Sequence, residues 1–367
     1  MPTRASVARY FFRLGAAAFG GPIALVGHIH RDLVEARRWI TEEEYREGLA
    51  LAQLSPGPLA AQLCFYLGYI RGGVVGAALS GLAFVLPSFV IVVALGWAYV
   101  RYGGLPWMQA VFYGVGAAVI GLISRSAYGL ARKSIGKDLL LWGIFLVVAL
   151  GTAITGREIV SLILAAGALV WIVRTPPAAF RRGGTVAEAG STILLLQILG
   201  FFAYAGSFVF GSGLAIVPFL HGGVVLQHHW LTERQFLDAV AVALITPGPV
   251  VITTGFIGYL VAGLAGACVA AGATFLPCFL FTVIPAPYFH RYGKRPWLAS
   301  IVTGITAGAT GAIAGAVIVL ARQSLVDVTT AMIAAGAFGL TLLRWKIPEP
   351  LIVVAAALIG LGVRGLS

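Results

Sequence analysis

Two short segments rich in proline and glycine contain residue types that can bind an anion. They are Ser55-Pro56-Gly57-Pro58 with Gln62 downstream, and Thr246-Pro247-Gly248-Pro249 with Thr253 downstream. Proline suits the first turn of a helix, and glycine lets a backbone approach a ligand closely. Each segment therefore predicts a helix N-terminus, where free N–H groups and the helix dipole favour negative charge. The Ser, Thr and Gln side chains add hydrogen-bond donors, so the predicted chemistry is reversible binding of an anion.

Glycine breaks and isolated charges extend this candidate site. The breaks are Gly20-Gly21-Pro22 and Gly211-Ser212-Gly213. Arg13 precedes the first break and is a candidate to compensate the charge of the anion, with a snorkelling arginine as the alternative. Glu47 and Asp238 each precede a Pro-Gly-Pro segment. They are candidates to carry a coupling proton, with interfacial carboxylates as the alternative.

The histidines and cysteines do not form a metal site or a catalytic site by their spacing. His28, His30 and His221 lie where the first apolar stretch of each half ends, which favours interfacial hydrogen bonds over metal ligation. The cysteines, Cys64, Cys268 and Cys278, lie in apolar stretches without CxxC spacing. HExxH, GxSxG and P-loop motifs are also missing. We therefore predict no enzyme activity, no catalytic residues, no metal and no cofactor.

The composition places these segments in a lipid bilayer. Of the 367 residues, 59% are hydrophobic and 10% are charged, whereas soluble domains have roughly 25% charged residues. The net charge of +12 could suggest nucleic acid as a partner. However, the basic residues are spread between apolar runs, which is typical of topology signals. The sequence predicts an all-α polytopic membrane protein that does not bind nucleic acid.

The chain contains two related halves. An offset of 191 residues aligns Trp39-Ile40-Thr41-Glu42 with Trp230-Leu231-Thr232-Glu233 and superposes the two Pro-Gly-Pro segments. An offset of 190 continues the match, for example from Pro106-Trp107 to Pro296-Trp297. Such self-similarity indicates an internal repeat. We predict a first repeat at residues 1–175, a linker at 176–189 and a second repeat at 190–367.

Each half is predicted to contain about five transmembrane helices and one re-entrant helical hairpin. The crossings of the first half are placed at residues 8–34, 73–100, 106–132, 138–154 and 158–174. Thr41 and Glu44 form a capping box at the start of the segment 41–71. Pro-Gly-Pro then splits this segment, which is either a re-entrant hairpin or one kinked crossing.

The distribution of basic residues favours the hairpin. Arg13 and Arg125 are left out because they lie within predicted helices, which leaves 23 basic residues. With a hairpin, 16 of these lie on one side of the membrane and seven on the other, whereas a kinked crossing gives 11 and 12. Positive charge is normally concentrated on the cytoplasmic side. The seven residues of the minority side are Arg4, Arg9, Arg101, Arg157, Arg234, Arg322 and Arg364. An odd number of crossings then inverts the second repeat, with the linker cytoplasmic and both termini outside.

Inverted repeats with broken helices are typical of secondary transporters, which hold the substrate near the membrane midplane. The helices that begin at Pro58 and Pro249 would then direct their N-termini at the bilayer centre from opposite sides. A tight turn in a buried loop is the structural alternative for Pro-Gly-Pro. That alternative does not explain why the motif occurs in both halves.

Several motifs together resemble the chromate ion transporter family. They are Phe19-Gly20-Gly21-Pro22, Arg38-Trp39, Leu49-Ala50-Leu51-Ala52-Gln53, Pro56-Gly57-Pro58, Gln62, Leu67-Gly68-Tyr69 and Phe84-Val85-Leu86-Pro87-Ser88-Phe89. The resemblance covers essentially the whole chain, with one family domain in each half. The second half departs from the pattern at Gly211-Ser212-Gly213, Thr246 and Thr253, so it is expected to shape the cavity more than to bind through identical groups.

The resemblance implies export of chromate across the bacterial inner membrane, driven by the membrane potential or a proton gradient. Transport of sulfate or another tetrahedral oxyanion, as uptake or exchange, is the alternative. A membrane-embedded enzyme and a lipid-handling or assembly protein are weaker alternatives, and the latter would tolerate changes in both Pro-Gly-Pro segments. The sequence leaves the oligomeric state open, a homodimer included.

Overall fold

The computed structural model describes residues 2–17, 22–102, 106–155, 160–174, 194–211, 216–292, 296–342 and 349–364. The first repeat contains α1 (Arg4–Ala17), α2 (Pro22–Ile29) with a π-helical extension (His30–Ala36), α3 (Glu42–Leu54), α4 (Leu59–Tyr102), α5 (Pro106–Ser134), α6 (Leu139–Thr155) and α7 (Val160–Arg174). The predicted linker lies outside the described residues.

The second repeat has the same order of elements. It contains α8 (Leu194–Gly206), α9 (Ile216–Leu220) with a π-helical extension (His221–Gln227), α10 (Glu233–Ile245), a 3-10 turn (Val250–Ile252), α11 (Thr253–Val283), α12 (Ala286–Tyr292), α13 (Pro296–Ser324), α14 (Val328–Leu342) and α15 (Glu349–Arg364). Two short strands, β1 (Gly57–Pro58) and β2 (Phe210–Gly211), pair in parallel between the repeats. Every other regular element in the described ranges is helical, as predicted.

Capping boxes begin the helices that lead to both Pro-Gly-Pro segments. The hydroxyl of Thr41 accepts a hydrogen bond from the backbone N–H of Glu44, and the Glu44 carboxylate accepts one from the N–H of Thr41. Thr232 and Gln235 repeat this arrangement at the start of α10. Each box satisfies donors that a helix start leaves free. The predicted capping box is confirmed, and its duplicate has the same geometry.

α3 and the first part of α4 form an antiparallel hairpin. The guanidinium of Arg71 lies 2.6 Å from the carboxylate of Glu44, and a Cβ on Gly48 would lie 3.2 Å from the side chain of Leu63. The tip of this hairpin is the Pro-Gly-Pro segment. The contacts agree with the predicted hairpin, because a single kinked crossing would separate residues 44 and 71. We call the end of the molecule that holds this ion pair the Arg71 end.

α4 is itself folded back at a glycine turn. Gly73 has a φ of +63°, in the left-handed region that favours glycine. A Cβ on Gly68 would lie 2.5 Å from the hydroxyl of Ser80. Residues 59–71 therefore pack antiparallel to residues 74–102. α11 repeats this turn at Ala262 and Gly263, where Gly263 has a φ of +59°.

The predicted single crossing at residues 8–34 is wrong, because α1 and α2 are separate helices whose outer ends meet. A Cβ on Gly72 would lie 2.8 Å from the side chain of Arg4, at the start of α1. The hydroxyl of Tyr45, near the start of α3, donates a hydrogen bond of 2.8 Å to the carbonyl of Val26 in α2. Both contacts lie at the Arg71 end. α1 therefore runs inwards from this end and α2 returns to it.

The sequence contains the reason for this break. Pro22 is the first residue of α2, a position where proline loses no hydrogen bond and has a suitable φ. The Gly-Gly pair before it offers little resistance to a change of direction. An apolar stretch long enough to span a bilayer is therefore divided into two shorter helices.

The two repeats are packed together along their folded helices. A Cβ on Gly255 would lie 3.5 Å from Val92, and one on Gly96 would lie 2.9 Å from Tyr259. Residues 74–102 therefore run parallel to residues 253–261. Because residues 253–261 fold back on residues 264–283, the equivalent segments 74–102 and 264–283 run in opposite directions.

The last two helices of each repeat pack on the other repeat. α6 and α7 lie against α13, and α14 and α15 lie against α5. Small residues allow the backbones to approach closely at these contacts. The pairs are Gly311 with Phe145, Gly304 with Ala166, Gly121 with Ala334 and Gly114 with Ala356. The two halves are thus interleaved and do not form separate bundles.

The two ends of the chain lie at opposite ends of the molecule. The rings of Tyr99 and Phe112 are 5.5 Å apart, so α5 begins where residues 74–102 end, here called the Tyr99 end. The guanidinium of Arg364, at the end of α15, lies 4.2 Å from the ring centre of Tyr113. Arg4 lies at the Arg71 end. The expectation that both termini lie on the same side disagrees with these contacts.

The described helices identify a multi-pass membrane protein. Four are long and apolar enough to cross a bilayer, namely Leu59–Tyr102, Trp107–Arg132, Val250–Phe289 and Ser300–Arg322. Large apolar side chains such as Val100, Leu139 and Met332 are exposed, which a water-soluble surface avoids in such number. The helices α6, α7, α14 and α15 are apolar but shorter.

Candidate functional site

The first tip, residues 55–58, is buried against the second repeat. The backbone N–H of Gly57 donates to the carbonyl of Val209, and the hydroxyl of Ser55 donates to the carbonyl of Phe281 at 3.2 Å. Gly57 has a φ of +147°, and a Cβ there would overlap the sulfur of Cys278. Only glycine fits this position without a shift of its neighbours.

The second tip, residues 246–249, is buried against the first repeat. Gly248 has a φ of +102°. A Cβ there would overlap the hydroxyl of Ser88 and lie 3.4 Å from the carbonyl of Gly15. Ser88 and Cys278 are equivalent positions at the 190-residue offset. Each tip therefore contacts the corresponding helix of the other repeat.

A helix follows each tip, but the first turn of that helix differs between the two repeats. α4 begins at Leu59, directly after Pro58. In the second repeat a 3-10 turn (Val250–Ile252) follows Pro249, and the α-helix begins at Thr253. The expected start of an α-helix at Pro249 is therefore wrong by one helical turn. Free backbone donors at a helix start can bind an anion.

Most of the predicted side-chain donors already have acceptors. The hydroxyl of Thr246 donates to the carbonyl of Val242 at 2.7 Å, and that of Thr253 donates to the carbonyl of Val250 at 2.7 Å. The amide nitrogen of Gln62 donates to the carbonyl of Pro56 at 2.8 Å. In this conformation these groups stabilise the tips themselves.

Two buried polar atoms beside the tips have no hydrogen-bond partner among the residues that the structure describes. They are the amide oxygen of Gln62 and the hydroxyl of Ser88, and both side chains are fully buried. Buried polar groups in proteins almost always have partners. Sequence reasoning missed Ser88 as a site residue. The available signal was that a proline precedes a small side chain with a hydroxyl or thiol group in both halves, in Pro87-Ser88 and in Pro277-Cys278.

Arg13 does not belong to the buried tips. Its side chain is exposed on α1, whereas the neighbouring Leu14 and Gly15 are buried. The predicted role of Arg13 in compensating a buried anion has no support from this placement. A snorkelling arginine, the stated alternative, agrees better with an exposed side chain.

The two candidate coupling acids have different surroundings. Asp238 is only 3% exposed, and its carboxylate accepts a hydrogen bond of 2.6 Å from Tyr99 of the other repeat. Glu47 is half-buried and accepts a hydrogen bond of 3.2 Å from Tyr66 of its own repeat. Both acids lie about midway along the helices α3 and α10.

The histidines pair with acids at the outer ends of the hairpins. His30 lies 2.8 Å from Glu42, and the equivalent His221 lies 2.7 Å from Glu233. The hydrogen bond from His30 lowers the pKa of Glu42. Within the described ranges no group of three potential ligands could hold a metal ion. His28 pairs with Asp32 at 3.3 Å.

Part of the predicted site lies outside the described residues. Gly20, Gly21 and Ser212 cannot be placed. Pro22 begins α2, and Gly211 lies in the strand that pairs with the first tip. Gly211, the first residue of the second break, thus pairs with Pro58 of the first tip.

Two related helical halves bury paired tips between them. This architecture is typical of membrane transport proteins and not of enzymes. The profile of the family described as chromate transporter matches residues 5–171 and 196–361, one copy in each repeat. The chain belongs to the chromate transporter family. Members of this family are transporters and not enzymes, so no catalytic role is assigned to any residue.

Three relatives match over nearly the full chain. The chromate transport protein of Cupriavidus metallidurans is 63% identical over 96% of this chain and 91% of its own length. A probable chromate transport protein of Synechococcus elongatus is 61% identical over 96% and 93%. The chromate transport protein of Pseudomonas aeruginosa is 32% identical over 95% and 90%. No solved structure matches the chain.

Proposed function

We propose that this protein is a secondary transporter that exports chromate across the bacterial inner membrane. The family and the names of three relatives support chromate as the substrate. The observation that carries the proposal is the burial of both Pro-Gly-Pro tips against the other repeat. An interface built from two such tips can change its access from one side to the other when the repeats move.

The proposal includes an inverted relation between the repeats. The opposite directions of residues 74–102 and 264–283 support it. The hydrogen bond between Tyr99 and Asp238 also supports it. This bond places the second hairpin at the Tyr99 end, whereas the first hairpin starts at the Arg71 end. The inversion thus rests on helix packing and no longer on an odd number of crossings.

The anion is proposed to bind between the tips, near mid-depth of the bilayer. Gly57 and Gly248 bring the backbone close to this place, and an α-helix begins directly beyond the first tip and one turn beyond the second. Partial positive charge at these termini favours a dianion without a buried basic residue. Glu47 and Asp238 are proposed as secondary elements of coupling.

The membrane potential alone can drive export of a dianion. Each charge moved through 100 mV is worth about 2.3 kcal/mol, hence roughly 4.6 kcal/mol for two charges. This corresponds to a concentration ratio of about a thousandfold or more. Proton coupling is therefore not required for efflux.

The Arg71 end is proposed to face the cytoplasm. Because α1 and α2 form a hairpin, Arg4 and Arg9 lie at the Arg71 end and move from the minority of seven basic residues to the majority. This bias is stronger than the one expected from the sequence. Arg174, the last residue of α7, pairs with Asp138, and the linker begins there.

The transport proposal is tested with inside-out membrane vesicles from bacteria that express the full chain. Chromate uptake into these vesicles corresponds to export from the cell, and it should increase when the vesicle interior is made positive. Vesicles without the protein are the control. Equal chromate uptake in both preparations would refute the proposal, and uptake of sulfate without chromate would favour the sulfate alternative.

The orientation is tested with single cysteines in a variant that lacks the native ones. Thr3→Cys should react with an impermeant maleimide only from the cytoplasmic side, and Gly365→Cys only from outside. Labelling of both from the same side would contradict the proposed arrangement of the chain ends.

A further inference from the structure

We infer that Ser88 is the side chain that donates a hydrogen bond to the transported oxyanion at the second tip, and that it makes this tip the stronger binding place. The inference rests on the proposed function, because it assigns a ligand to the same buried interface. Ser88 belongs to the first repeat, whereas the tip it faces belongs to the second.

The surroundings of Ser88 favour a role in ligand binding over one in packing. Its side chain has no exposed surface, and its hydroxyl has no hydrogen-bond partner within the described part of the chain. An unsatisfied buried hydroxyl costs free energy, because the group has lost its bonds to water. A side chain that served only packing could be replaced by alanine at no such cost.

The position of the hydroxyl indicates where the ligand would bind. It lies so close to Gly248 that a Cβ there would overlap it. The carbonyl of Gly15 faces the same glycine. Beyond the tip, the 3-10 turn (Val250–Ile252) and α11 present the start of a helix. The Ser88 hydroxyl thus lies beside the tip glycine, and α11 begins one helical turn beyond the tip. A hydroxyl proton and the start of a long helix both favour a negatively charged oxygen.

The first tip lacks this donor. Its equivalent of Ser88 is Cys278, which is also fully buried beside a tip glycine. A thiol is a weak hydrogen-bond donor. Gln62 lies beside the same tip, but its amide protons face the carbonyl of Pro56 and its free atom is an acceptor. An oxyanion is therefore held less strongly at the first tip than at the second.

The test compares chromate binding by the purified full-length protein and by Ser88→Ala. A hydrogen bond to a charged group is worth enough to change affinity by about tenfold to a hundredfold. We expect the dissociation constant for chromate to rise by at least about tenfold. Thermal stability without anion should stay the same or increase, because a buried unsatisfied hydroxyl is removed. A clear loss of stability would assign Ser88 a structural role and overturn the inference.

Thr152→Val is the matched control. Thr152 also has a buried hydroxyl without a partner, but it lies on α6 against Gly315 of α13, far along the chain from either tip. We expect this variant to gain stability in the same way while its affinity for chromate is unchanged. Equal affinity losses in both variants would contradict a specific role of Ser88.

A rescue variant distinguishes donation from packing. Adding Cys278→Ser to Ser88→Ala places a hydroxyl at the equivalent position of the first tip and should recover part of the affinity. No recovery, together with unchanged affinity in Ser88→Ala alone, would overturn the inference. If the wild-type protein does not bind chromate at all, the proposed function is wrong. If the wild type and Ser88→Ala bind chromate equally well, only the inference about Ser88 is wrong.

Discussion

The two hairpin tips have similar backbone turns and different side-chain surroundings. Both contain a glycine with positive φ, and both press against the other repeat. The first tip faces Cys278 and has Gln62 beside it, whereas the second faces Ser88 and has Thr253 beside it. Duplication has therefore kept the shape that exposes a helix start, while the polar groups around it have diverged. In the proposed site, the helix N-termini beyond both tips attract an anion. The side chain beside each tip, Ser88 or Cys278, then determines which tip binds it more strongly.

The largest expected effect comes from removing a tip glycine. Gly57→Ala and Gly248→Ala both add a Cβ at a positive φ, which costs about 1–2 kcal/mol, and both create overlap with the other repeat. We expect each to lower chromate flux at least about tenfold, with the greater loss for Gly248→Ala. Flux in vesicles, normalised to the amount of inserted protein, measures this.

Gly143→Ala serves as the control for the tip glycines. Gly143 lies in α6, and a Cβ there would meet no atom within 4 Å. Its flux should equal that of the wild type. If Gly248→Ala transported chromate as fast as the wild type, the second tip would not belong to the substrate pathway. If Gly57→Ala lost more flux than Gly248→Ala, the first tip would be the stronger binding place.

A smaller difference is expected between the two tyrosine–acid pairs. Tyr99→Phe leaves the buried Asp238 without the donor that bridges the repeats, and such a loss costs about 1–3 kcal/mol. Tyr66→Phe affects Glu47, which is half-buried and can bind water. The loss of stability in Tyr66→Phe should therefore be below about 1 kcal/mol. Thermal unfolding of the purified proteins would show the difference, and equal shifts would mean that burial does not distinguish the two acids.

The smallest expected effects concern the turns that fold α4 and α11. Gly73→Ala introduces a Cβ at a φ of +63°, with an expected loss of about 1 kcal/mol in stability. Gly72→Ala should be tolerated better, because the second repeat already has Ala262 at the equivalent turn position. Only the flexible side chain of Arg4 must move. A greater loss for Gly72→Ala than for Gly73→Ala would show that packing, not backbone conformation, limits this turn.

Much of the architecture could be predicted from local sequence patterns. The internal offset identified two repeats, and the family profile matches one copy in each. The capping residues Thr41 and Thr232 correctly marked the starts of α3 and α10. These features depend on neighbours a few residues apart, and helix propagation and capping are governed by such short distances.

Features that depend on tertiary contacts were harder to predict. The stretch 8–34 is apolar enough for one crossing, but hydropathy does not show a change of direction. The interleaved packing of α6 and α7 on α13 depends on which small residues meet, and the sequence contains many glycines. Ser88 was missed for the same reason, because its importance comes from Gly248, a residue of the other repeat. The exposed position of Arg13 also depends on packing that the sequence does not specify.

The exchange of helices between the halves has a consequence for the origin of the chain. The face of α5 that receives α14 and α15 is filled only by the other copy. A protein with a single copy would leave that face bare to lipid, and its small residues would have no partner. Two such proteins would have to associate before either was complete, and the proposed inversion of the repeats requires that they do so in opposite orientations in the bilayer. Joining them into one polypeptide preserves that partnership and frees each copy to specialise.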